Sequence, residues 1–237
     1  MSTFKGKNVL ITGGASGIGK IMGRMSLEKG ARTLIIWDIN AENLRLTAQS
    51  LANKGVVRTY CVDITNSDAV AATYKQAKCD CGSIDILINC AGIIRGNQTF
   101  DQQTIPDIRL TMEVNTIAPM VLSLQVLPDM LANNSGHICN ISSAAGMISN
   151  PKISVYAASK WAVIGWSDSM RIELQESGKD VHVTTVAPYY INTGMFDGVE
   201  SPIFSILQPE PTARKILRAI ERNQDFCGIP WSFHFIR

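Results

Sequence analysis

Short apolar runs alternate with longer amphipathic segments along most of the chain. The runs of strand length are nearly all apolar, which is typical of parallel strands that are buried on both faces. They are Asn8–Thr12, Thr33–Trp37, Val57–Val62, Ile84–Asn89, His137–Ile141, His182–Val186 and Phe226–Ile229. The segments with helical periodicity are Ile18–Lys29, Ala41–Lys54, Asp68–Cys79, Asp107–Leu131, Ser154–Ser177 and Thr212–Asn223. This alternation predicts right-handed crossovers and an α/β fold with a doubly wound parallel sheet.

The length and composition fit one globular domain. The chain has 237 residues, of which 46% are hydrophobic, and this is enough to bury one sizeable core. Because no repeat or linker divides it, we predict a single domain over residues 1–237. The longest irregular stretch, Pro188–Pro211, is predicted to be the substrate loop, since long loops in compact domains are usually functional. The charges are scattered and sum to only +2, which gives no indication of nucleic-acid binding.

The cysteine pattern is that of a reduced, cytoplasmic protein. Three of the six cysteines fall in or at the ends of apolar strand-like runs, where a thiol behaves as a small hydrophobic group. Cys79 and Cys81 stand close together, but no further Cys or His lies nearby to complete a zinc site, so we predict no bound metal. Met1–Lys7 lacks the features of a signal peptide. We find no run of about 18 apolar residues, the length that crosses a membrane.

The C-terminal residues 226–237 read FCGIPWSFHFIR, which is aromatic and apolar around a proline. We favour the interpretation that they form the last strand and contribute aromatic side chains to the core. The alternative is peripheral contact with a membrane through this tail, which is compatible with an enzyme.

A glycine-rich turn follows the first predicted strand and precedes the first predicted helix. Residues 12–19 read TGGASGIG. A pyrophosphate needs backbone N–H groups and the positive end of a helix dipole close to it, and side chains at the contact points would block its approach. This context, with an acidic residue further along, is typical of a dinucleotide-binding turn. The predicted contacts are Gly13, Ser16, Gly17, Ile18 and Gly19.

Asp38 ends the second strand, 19 residues beyond Gly19. In a dinucleotide fold, a carboxylate at this place binds the ribose hydroxyls of the adenosine, and it would repel a 2′-phosphate. No Arg or Lys occupies the glycine turn or the positions just after Asp38. We therefore predict NAD rather than NADP, in contact with Asp38 and Ile39. A lone Asp would be interpreted as the N-cap of the next helix, but the spacing favours the cofactor.

Two further polar segments follow predicted strands. Asp63-Ile64 comes after the third strand, and residues 89–92, which read NCAG, come after the fourth. The carboxyl ends of parallel strands are where open α/β sheets bind ligands. Taken singly, each segment is also compatible with ordinary turn chemistry.

Tyr156 and Lys160 lie four residues apart at the start of a predicted helix, so their side chains project from one face. The pair alone is weak evidence, because a solvated Tyr–Lys pair is also compatible with this spacing. Oxidation of an alcohol needs a base, however, and reduction of a carbonyl needs an acid. A tyrosine with an ordinary pKa is only about one part in a thousand ionised at pH 7. A nearby ammonium favours the phenolate, so we predict that Lys160 lowers the pKa of Tyr156.

A serine just past the fifth predicted strand can donate a hydrogen bond to the substrate oxygen. Ser143 lies 13 residues before Tyr156, and a preorganised hydroxyl there would stabilise a developing alkoxide. The adjacent Ser142 is placed equally well by spacing alone.

Together, these segments resemble the short-chain dehydrogenase/reductase family, in order and over essentially the whole chain. The glycine turn is similar to the family's TGxxxGxG motif, and NCAG is similar to its NNAG motif. The resemblance implies a Rossmann-like sheet of seven parallel strands with helices on both faces. It also implies cofactor contacts, including an adenine contact at Asp63-Ile64. The implied contacts at the strand ends are Asp63, Ile64, Asn89, Ala91, Gly92, Pro188, Ile191 and Thr193.

The resemblance also implies the catalytic residues. It selects Ser143 over Ser142, with Tyr156 for proton transfer and Lys160 to hold the cofactor ribose. Asn115 matches an asparagine that kinks a helix and positions the lysine through a water. The implied catalytic set is Asn115, Ser143, Tyr156 and Lys160, of which the last two also contact NAD.

Two residues depart from the family pattern. Cys90 replaces the second Asn of NNAG, which usually braces the central sheet, so we expect a small cost in stability. After the sixth strand the family has Pro-Gly-x-x-x-Thr, whereas residues 188–193 of this chain read PYYINT. Tyr189 is therefore expected to narrow the pocket or to face the substrate.

Within the family, the chain is similar to the group of retinol dehydrogenases and 17β-hydroxysteroid dehydrogenases of types 11 and 13. The similar segments are Trp37–Asn40, Gly136–Ile138, Ile191–Phe196 and Ile229–Trp231. This implies an NAD-dependent oxidoreductase for a small hydrophobic alcohol or carbonyl substrate, such as a retinoid, a steroid or another lipid alcohol. The alternative is a non-catalytic NAD- or lipid-binding module on the same fold, but such a module would be expected to lose Tyr156 or Lys160.

The oligomeric state is expected by analogy with relatives. There, the counterparts of the long predicted helices Asp107–Leu131 and Ser154–Ser177 commonly form a four-helix interface. Trp161 and Trp166 are candidates to pack in it. We expect a homodimer or a homotetramer.

Overall fold

Seven parallel strands form one sheet in the computed structural model, which describes residues 1–194 and 205–235. The strands are β1 (Asn8–Thr12), β2 (Thr33–Asp38), β3 (Val56–Cys61), β4 (Ile86–Asn89), β5 (Gly136–Ile141), β6 (Val181–Pro188) and β7 (Phe226–Ile229). Their order across the sheet is β3-β2-β1-β4-β5-β6-β7. The order reverses between β1 and β4, and sheets of this kind bind ligands at the carboxyl ends of the strands there. The predicted doubly wound sheet of seven strands is confirmed.

Helices cover both faces of the sheet. They are α1 (Gly17–Glu28), α2 (Ala41–Leu51), α3 (Ser67–Cys81), α4 (Ile105–Met112), α5 (Ala118–Ala132), α6 (Ser154–Glu176) and α7 (Pro209–Glu221). Successive strand residues point to opposite faces. Val9 and Ile11 of β1 therefore belong to a core layer with α1, α2 and α7, whereas Leu10 belongs to a layer with α3, α5 and α6. Most strands are apolar on both sides because both layers bury them, whereas the edge strand β3 is partly exposed.

The helical stretch predicted over Asp107–Leu131 is present, but its regular α-helical bonding is interrupted at Asn115, where the resemblance implies a kink. α4 ends at Met112, residues Glu113–Ile117 form a π-helical turn, and α5 begins at Ala118. Pro119 has no N–H to donate to the carbonyl of Asn115 four residues earlier, so one regular α-helical hydrogen bond is missing here. Single π turns inside helices are frequent at functional sites, and this one contains Asn115.

The other element ends differ from the predicted ones by a few residues. α2 ends at Leu51 rather than at residue 54, and α7 begins at Pro209 rather than at residue 212. The predicted substrate loop is shorter than expected, because β6 extends to Pro188 and α7 starts early. Within it, Ile191 pairs with Leu207 in an isolated parallel bridge. Residues 195–204 of this loop lie outside the described residues.

The helical stretch Ile105–Ala132 is long and apolar enough to cross a membrane by length and composition, which differs from the sequence expectation. However, Leu122, Val126 and Met130 of α5 are buried in the core layer that also contains α3 and α6. Packing in this core layer therefore accounts for part of the apolar character of this stretch.

The C-terminal tail folds back onto the protein after β7. Phe226, Cys227 and Ile229 of β7 are buried, and residues Trp231–Phe235 form a short 3₁₀ helix. Phe233 is fully buried, whereas Trp231 is 68% exposed. As far as Phe233, the tail agrees with the favoured interpretation of a last strand with core aromatics.

Candidate active site

The glycine turn between β1 and α1 lies at the carboxyl edge of the sheet. Gly13 has a φ of +64°, and a Cβ atom there would lie 2.9 Å from the Cα atom of Ala91. The N–H of Gly13 donates to the carbonyl of Trp37 at 2.8 Å. Gly17 begins α1 with a φ of +49°. The turn therefore needs glycine both for its backbone conformation and for its close contact with the segment after β4.

A cavity of about 330 Å³, here named the glycine-turn cavity, lies beside this turn. The predicted cofactor residues that line it are Gly13, Ser16, Asp38, Ile39, Asp63, Ile64, Ala91 and Gly92. Arg95, Leu110 and Val114 also line it and were missed by the sequence analysis. They follow no strand directly, because they come from the loop after NCAG, from α4 and from the π turn.

Asp38 is held at the rim of the glycine-turn cavity by two backbone donors. Its carboxylate accepts hydrogen bonds from the N–H of Ala15 at 3.1 Å and from the N–H of Asn40 at 3.0 Å. The N-cap of α2 is Asn40, whose side chain accepts from the N–H of Asn43. Asp38 is therefore not the helix cap, and its position is fixed relative to the glycine turn.

The segment after β4 is tied to β1 and β5 by side-chain hydrogen bonds. The Thr12 hydroxyl accepts from the N–H groups of Cys90 and Ala91, each at 3.1 Å. Asn89 is buried, and its amide donates to Asn140 Oδ1 at 2.8 Å and to Ser123 Oγ at 3.2 Å. Asn89, predicted as a cofactor contact, thus has its side chain inside the sheet, where it braces β4 against β5.

α6 places Tyr156 and Lys160 on one face, and both side chains are buried. They line a second cavity of about 80 Å³, here named the tyrosine cavity. Lys160 Nζ lies 5.7 Å from the ring centroid of Tyr156 and donates to the carbonyl of Ile141 at 2.9 Å. This burial rules out a solvated surface pair. The other predicted cofactor residues around this cavity are Ile18, Gly92, Pro188, Ile191 and Thr193.

Burial determines the acid–base properties of this pair. Burial raises the pKa of Tyr156 to about 12, and a hydrogen bond with the Ser143 hydroxyl opposes this shift. Burial also lowers the pKa of Lys160 to about 8. The expectation that Lys160 lowers the pKa of Tyr156 is therefore not met, because the loss of solvent around the phenol dominates. Ser143 is the neighbour that favours the phenolate.

Ser142 and Ser143 differ in their surroundings. Ser142 is buried, and its hydroxyl donates to the backbone carbonyl of Lys160 at 2.9 Å. Ser143 Oγ accepts from the N–H of Ala145 at 3.2 Å and is hydrogen-bonded to Tyr156. The geometry therefore favours Ser143 as the group that meets a substrate, and Ser142 as a structural contact to α6.

A third cavity of about 200 Å³, here named the outer cavity, adjoins the tyrosine cavity. The two share Ser143, Tyr156 and Tyr189. Its remaining lining is mostly apolar or aromatic and consists of Ala144, Ala145, Ile148, Ser149, Asn150, Ile153 and Tyr190. An apolar cavity with a serine and a tyrosine at one end suits a hydrophobic molecule with one reacting oxygen.

Asn115 joins the segment after β4 to α6. Its Oδ1 accepts from the N–H of Ile93 at 2.8 Å, and its Nδ2 donates to the carbonyl of Ile93 at 2.9 Å and to Ser159 Oγ at 3.1 Å. A Cβ atom on Gly92 would lie 3.4 Å from Asn115 Oδ1 and 3.6 Å from Lys160 Nζ. Asn115 therefore lies near Lys160 and is connected to it through Ser159 and Gly92.

Within the part of the chain that the structure describes, Gly17, Gly19, Asn89 and Asn115 line neither the glycine-turn cavity nor the tyrosine cavity. A Cβ atom on Gly19 would collide with the carbonyl of Gly13, so this residue packs the turn against α1. A Cβ atom on Gly17 would lie 3.7 Å from Thr193 Cβ. The two glycines therefore contribute to the site through close packing and do not line its cavities.

The residues present fit a dinucleotide. The glycine turn leads into the N-terminus of α1, whose N–H groups and dipole favour a phosphate. The Asp38 carboxylate stands at the rim of the glycine-turn cavity, and the tyrosine cavity contains Tyr156 and Lys160. Gly92 lines both cavities. The two cavities therefore adjoin, and each can hold one half of an extended ligand.

Comparison with known proteins agrees with this geometry. Residues 7–202 match the family model described as short chain dehydrogenase. Epidermal retinol dehydrogenase 2 from Mus musculus is 37% identical over 239 residues, which cover 98% of this chain and 76% of that protein. Estradiol 17-beta-dehydrogenase 11 from Homo sapiens is 34% identical over 235 residues, which cover 98% of this chain and 77% of that protein.

Solved structures show the same fold. A short chain dehydrogenase/reductase from Burkholderia phymatum in complex with NAD has a TM-score of 0.91 at 23% identity, covering 100% of this chain and 94% of that chain. A short-chain dehydrogenase from Sphingobium yanoikuyae in complex with NADPH has a TM-score of 0.85 at 27% identity, covering 95% of this chain and 88% of that chain.

Proposed function

Because this chain belongs to the short-chain dehydrogenase family, a family of oxidoreductases, we propose that it transfers a hydride between NAD and a hydrophobic alcohol or carbonyl compound. The observation that carries this proposal is the hydrogen bond between buried Tyr156 and Ser143, which line the tyrosine cavity and the outer cavity alike. A proton donor and a hydrogen-bond donor at one point are what chemistry on an alcohol or carbonyl oxygen needs.

Ser143 and Tyr156 have distinct roles in this proposal. When bound, the nicotinamide supplies or accepts the hydride. Ser143 donates to the substrate oxygen and stabilises the negative charge that develops there. Tyr156 takes the hydroxyl proton in oxidation and returns it in reduction. Its pKa of about 12 keeps the phenol protonated at neutral pH, which is the form that carbonyl reduction uses.

Lys160 acts beside Tyr156. Its pKa of about 8 leaves most of its amine charged at pH 7 and half of it charged near pH 8. The ammonium stabilises the phenolate whenever Tyr156 loses its proton. The same group is placed to hold the ribose of the cofactor, because Lys160 lines the cavity that adjoins the glycine-turn cavity at Gly92.

The proposed preference for NAD follows from two charges in the glycine-turn cavity. The Asp38 carboxylate is fixed by Ala15 and Asn40 and would repel a 2′-phosphate. Arg95 lines the same cavity and would attract one, but its side chain is exposed on a loop. A fixed charge acts more strongly than a mobile, solvated one, so Asp38 decides the preference.

The outer cavity supports a hydrophobic substrate, a retinoid, steroid or other lipid alcohol. The test is NADH formation from NAD with a panel of retinoid, steroid and aliphatic alcohols. We expect turnover of at least one hydrophobic alcohol and a lower KM as apolar surface increases. Tight NADH binding with no turnover of any alcohol in either direction would instead indicate a non-catalytic module.

We also propose that the protein is a homodimer or homotetramer through the face formed by α5 and α6. Leu124 of α5 and Trp161 of α6 are exposed there, together with Ile117 and Ile172. Trp166 was expected at this face, but it packs partly buried against the core. Light scattering should give a dimer or larger assembly that Leu124→Asp weakens and Leu46→Asp, at an exposed leucine on α2, leaves intact. A monomer in the wild type would contradict this.

Peripheral membrane contact by an otherwise cytoplasmic protein is a further proposal, and it is supported by the exposure of Trp231 on the C-terminal tail. Tryptophan is favoured at the boundary between lipid and water. In a flotation experiment, the wild type should be found in the liposome fraction and the Trp231→Ser variant should not. Phe100→Ser is the matched control, because it changes an aromatic side chain that is 66% exposed, close to the 68% of Trp231. Equal flotation of wild type and the Trp231 variant would contradict the proposal.

A further inference from the structure

Tyr189 stands where the family pattern has glycine, and it lies at the boundary of two cavities. It lines the tyrosine cavity together with Lys160, and it lines the outer cavity together with Ala145 and Ile153. Tyr156 and Ser143 line the same two cavities. The ring of Tyr189 is therefore adjacent to the position where a substrate oxygen would meet the proposed proton donor.

Phe233 from the C-terminal tail supports the ring of Tyr189. The two rings are stacked, with centroids 5.9 Å apart and planes inclined by 23°. Phe233 is fully buried, and its N–H donates to the carbonyl of Pro230 at 3.1 Å. The N–H of Tyr189 in turn donates to the carbonyl of Ile229 at 2.7 Å. The end of β7 and the tail thus fix both the backbone and the ring of Tyr189.

Tyr190 supports the same wall from another side. Its ring meets that of Tyr189 edge-on, with centroids 4.7 Å apart and planes at 64°. The Asn150 amide donates to the Tyr190 hydroxyl at 2.8 Å, and the Tyr190 carbonyl accepts from the N–H of Leu207 at 2.8 Å. Two neighbouring tyrosines therefore form an aromatic wall that several segments of the chain hold in place.

We propose that Tyr189 determines specificity by packing its ring against the substrate and selecting flat, ring-containing alcohols and ketones over open-chain ones of equal carbon number. Phe233 is a positioning residue that acts through Tyr189. The inference rests on the proposed oxidoreductase function and names the substrate class of that same site.

The physical reason is that the two kinds of substrate lose different amounts of conformational entropy on binding. A flat ring packs on a fixed aromatic surface with little loss of internal freedom, whereas an open chain must give up rotamers to do so. Aromatic contacts contribute about 0.5–1.5 kcal/mol beyond simple burial. This corresponds to a selectivity of about two- to tenfold. The aliphatic lining at Ala144, Ala145 and Ile153 suits the apolar remainder of such a molecule.

The experiment compares 1-tetralone and 2-decanone, which have the same number of carbon atoms. Their Kd values for the NADH-loaded protein are measured by calorimetry, and kcat and KM are measured for their reduction. We expect the wild type to bind 1-tetralone more tightly. Tyr189→Gly should weaken 1-tetralone binding by about two- to tenfold and leave 2-decanone nearly unchanged. Tyr189→Phe, which keeps the ring, should retain the selectivity of the wild type for 1-tetralone.

Phe233→Leu tests the positioning role. It should raise the KM for 1-tetralone with little change in kcat, because it loosens the wall and leaves Tyr156 and Ser143 in place. Phe4→Leu makes the same exchange at another fully buried ring, far along the chain in the N-terminal segment, and should leave selectivity unchanged. The Kd for NADH shows that each variant remains folded.

Several outcomes would overturn the inference. These are a wild type that does not prefer 1-tetralone, an equal loss for both ketones in Tyr189→Gly, and equal effects of Phe233→Leu and Phe4→Leu. Selective binding of 1-tetralone without reduction of either ketone or oxidation of any alcohol would contradict the proposed function and leave the role of Tyr189 standing. Turnover of hydrophobic alcohols with unaltered selectivity in Tyr189→Gly would contradict the inference alone.

Discussion

Lys160 Nζ lies 5.7 Å from the ring centroid of Tyr156, and both side chains are buried. The pKa of the amine is lowered to about 8, and the pKa of the phenol is raised to about 12. Burial has shifted each group toward its neutral form. Lys160 therefore loses its charge close to neutral pH. With the ordinary pKa values of lysine and tyrosine, the charge on the pair would stay constant in this range.

Replacement of Lys160 by Met should stabilise the fold at neutral pH while impairing catalysis. The folded pKa is about 8 against an unfolded value near 10.5, so the unfolded chain binds the proton more tightly. The buried ammonium therefore destabilises the fold by about 3 kcal/mol below pH 8. This penalty fades as the pH rises from 8 to 10.5, because folded and unfolded lysine then both lose the proton.

Chemical denaturation at pH 7 and pH 10 checks this prediction. The variant should be more stable than the wild type at pH 7, and most of the difference should disappear at pH 10. Lys75→Met, at an exposed lysine of α3, should show no such pH dependence. A Lys160→Met variant that is equally destabilised at both pH values would contradict the account.

Acid should destabilise the protein through His137. This residue is buried, its ring nitrogens lie 3.0 Å from Ser2 Oγ and 2.8 Å from Thr184 Oγ1, and burial followed by the charge of His182 lowers its pKa to about 3. A lowered folded pKa means that the neutral imidazole stabilises the fold above pH 6.5. This contribution is lost as the pH falls from 6.5 toward 3.

The measurement is the stability difference between wild type and His137→Asn at several pH values. Between pH 7 and pH 5, the wild type should lose about 2 kcal/mol relative to the variant. The variant lacks the titrating group and serves as its own control for the carboxylates, which titrate in both proteins. Parallel stability curves for the two proteins would show that His137 does not titrate in this way.

Exchange of Asp38 or Arg95 should change the cofactor preference in opposite directions. We expect a higher kcat/KM with NAD than with NADP in the wild type. Asp38→Asn removes the charge that repels a 2′-phosphate and should narrow this ratio by about tenfold, equivalent to about 1.4 kcal/mol. Arg95→Ala removes the attracting charge and should widen it. A wild type that prefers NADP, or an Asp38→Asn variant with an unchanged ratio, is incompatible with the account.

The pattern of apolar residues was sufficient to predict the sheet, because strands buried on both faces must be apolar along their whole length. The position of Asp38 also followed from the sequence, because it ends a strand. The helical pattern did not indicate the break between α4 and α5, although the resemblance implied a kink at Asn115 and Pro119 was a visible signal in the sequence. The structure adds contacts that the pattern could not give, the hydrogen bonds between Asn115 and Ile93, which lie 22 positions apart in the sequence.

The chemistry of the site was harder to predict than its composition. The spacing of Tyr156 and Lys160 placed them on one helix face, but the direction of the pKa shift of Tyr156 depends on how completely the other elements bury it. The sequence predicted Asn89 as a cofactor contact but gave no indication that its side chain would brace β4 against β5 through Asn140. The stacking of Tyr189 on Phe233 joins residues far apart in sequence, and no local pattern indicates it.

The central claim is that Tyr156 transfers the proton, and the most direct test measures NADH formation by wild type and Tyr156→Phe with the alcohol that the wild type oxidises best. The exchange keeps the buried ring and removes the hydroxyl, so turnover should fall by about a hundredfold or more while the Kd for NADH is unchanged. Tyr60→Phe, which removes the hydroxyl that donates to Asp80, should retain both properties. Wild-type turnover in the Tyr156→Phe variant would contradict the account.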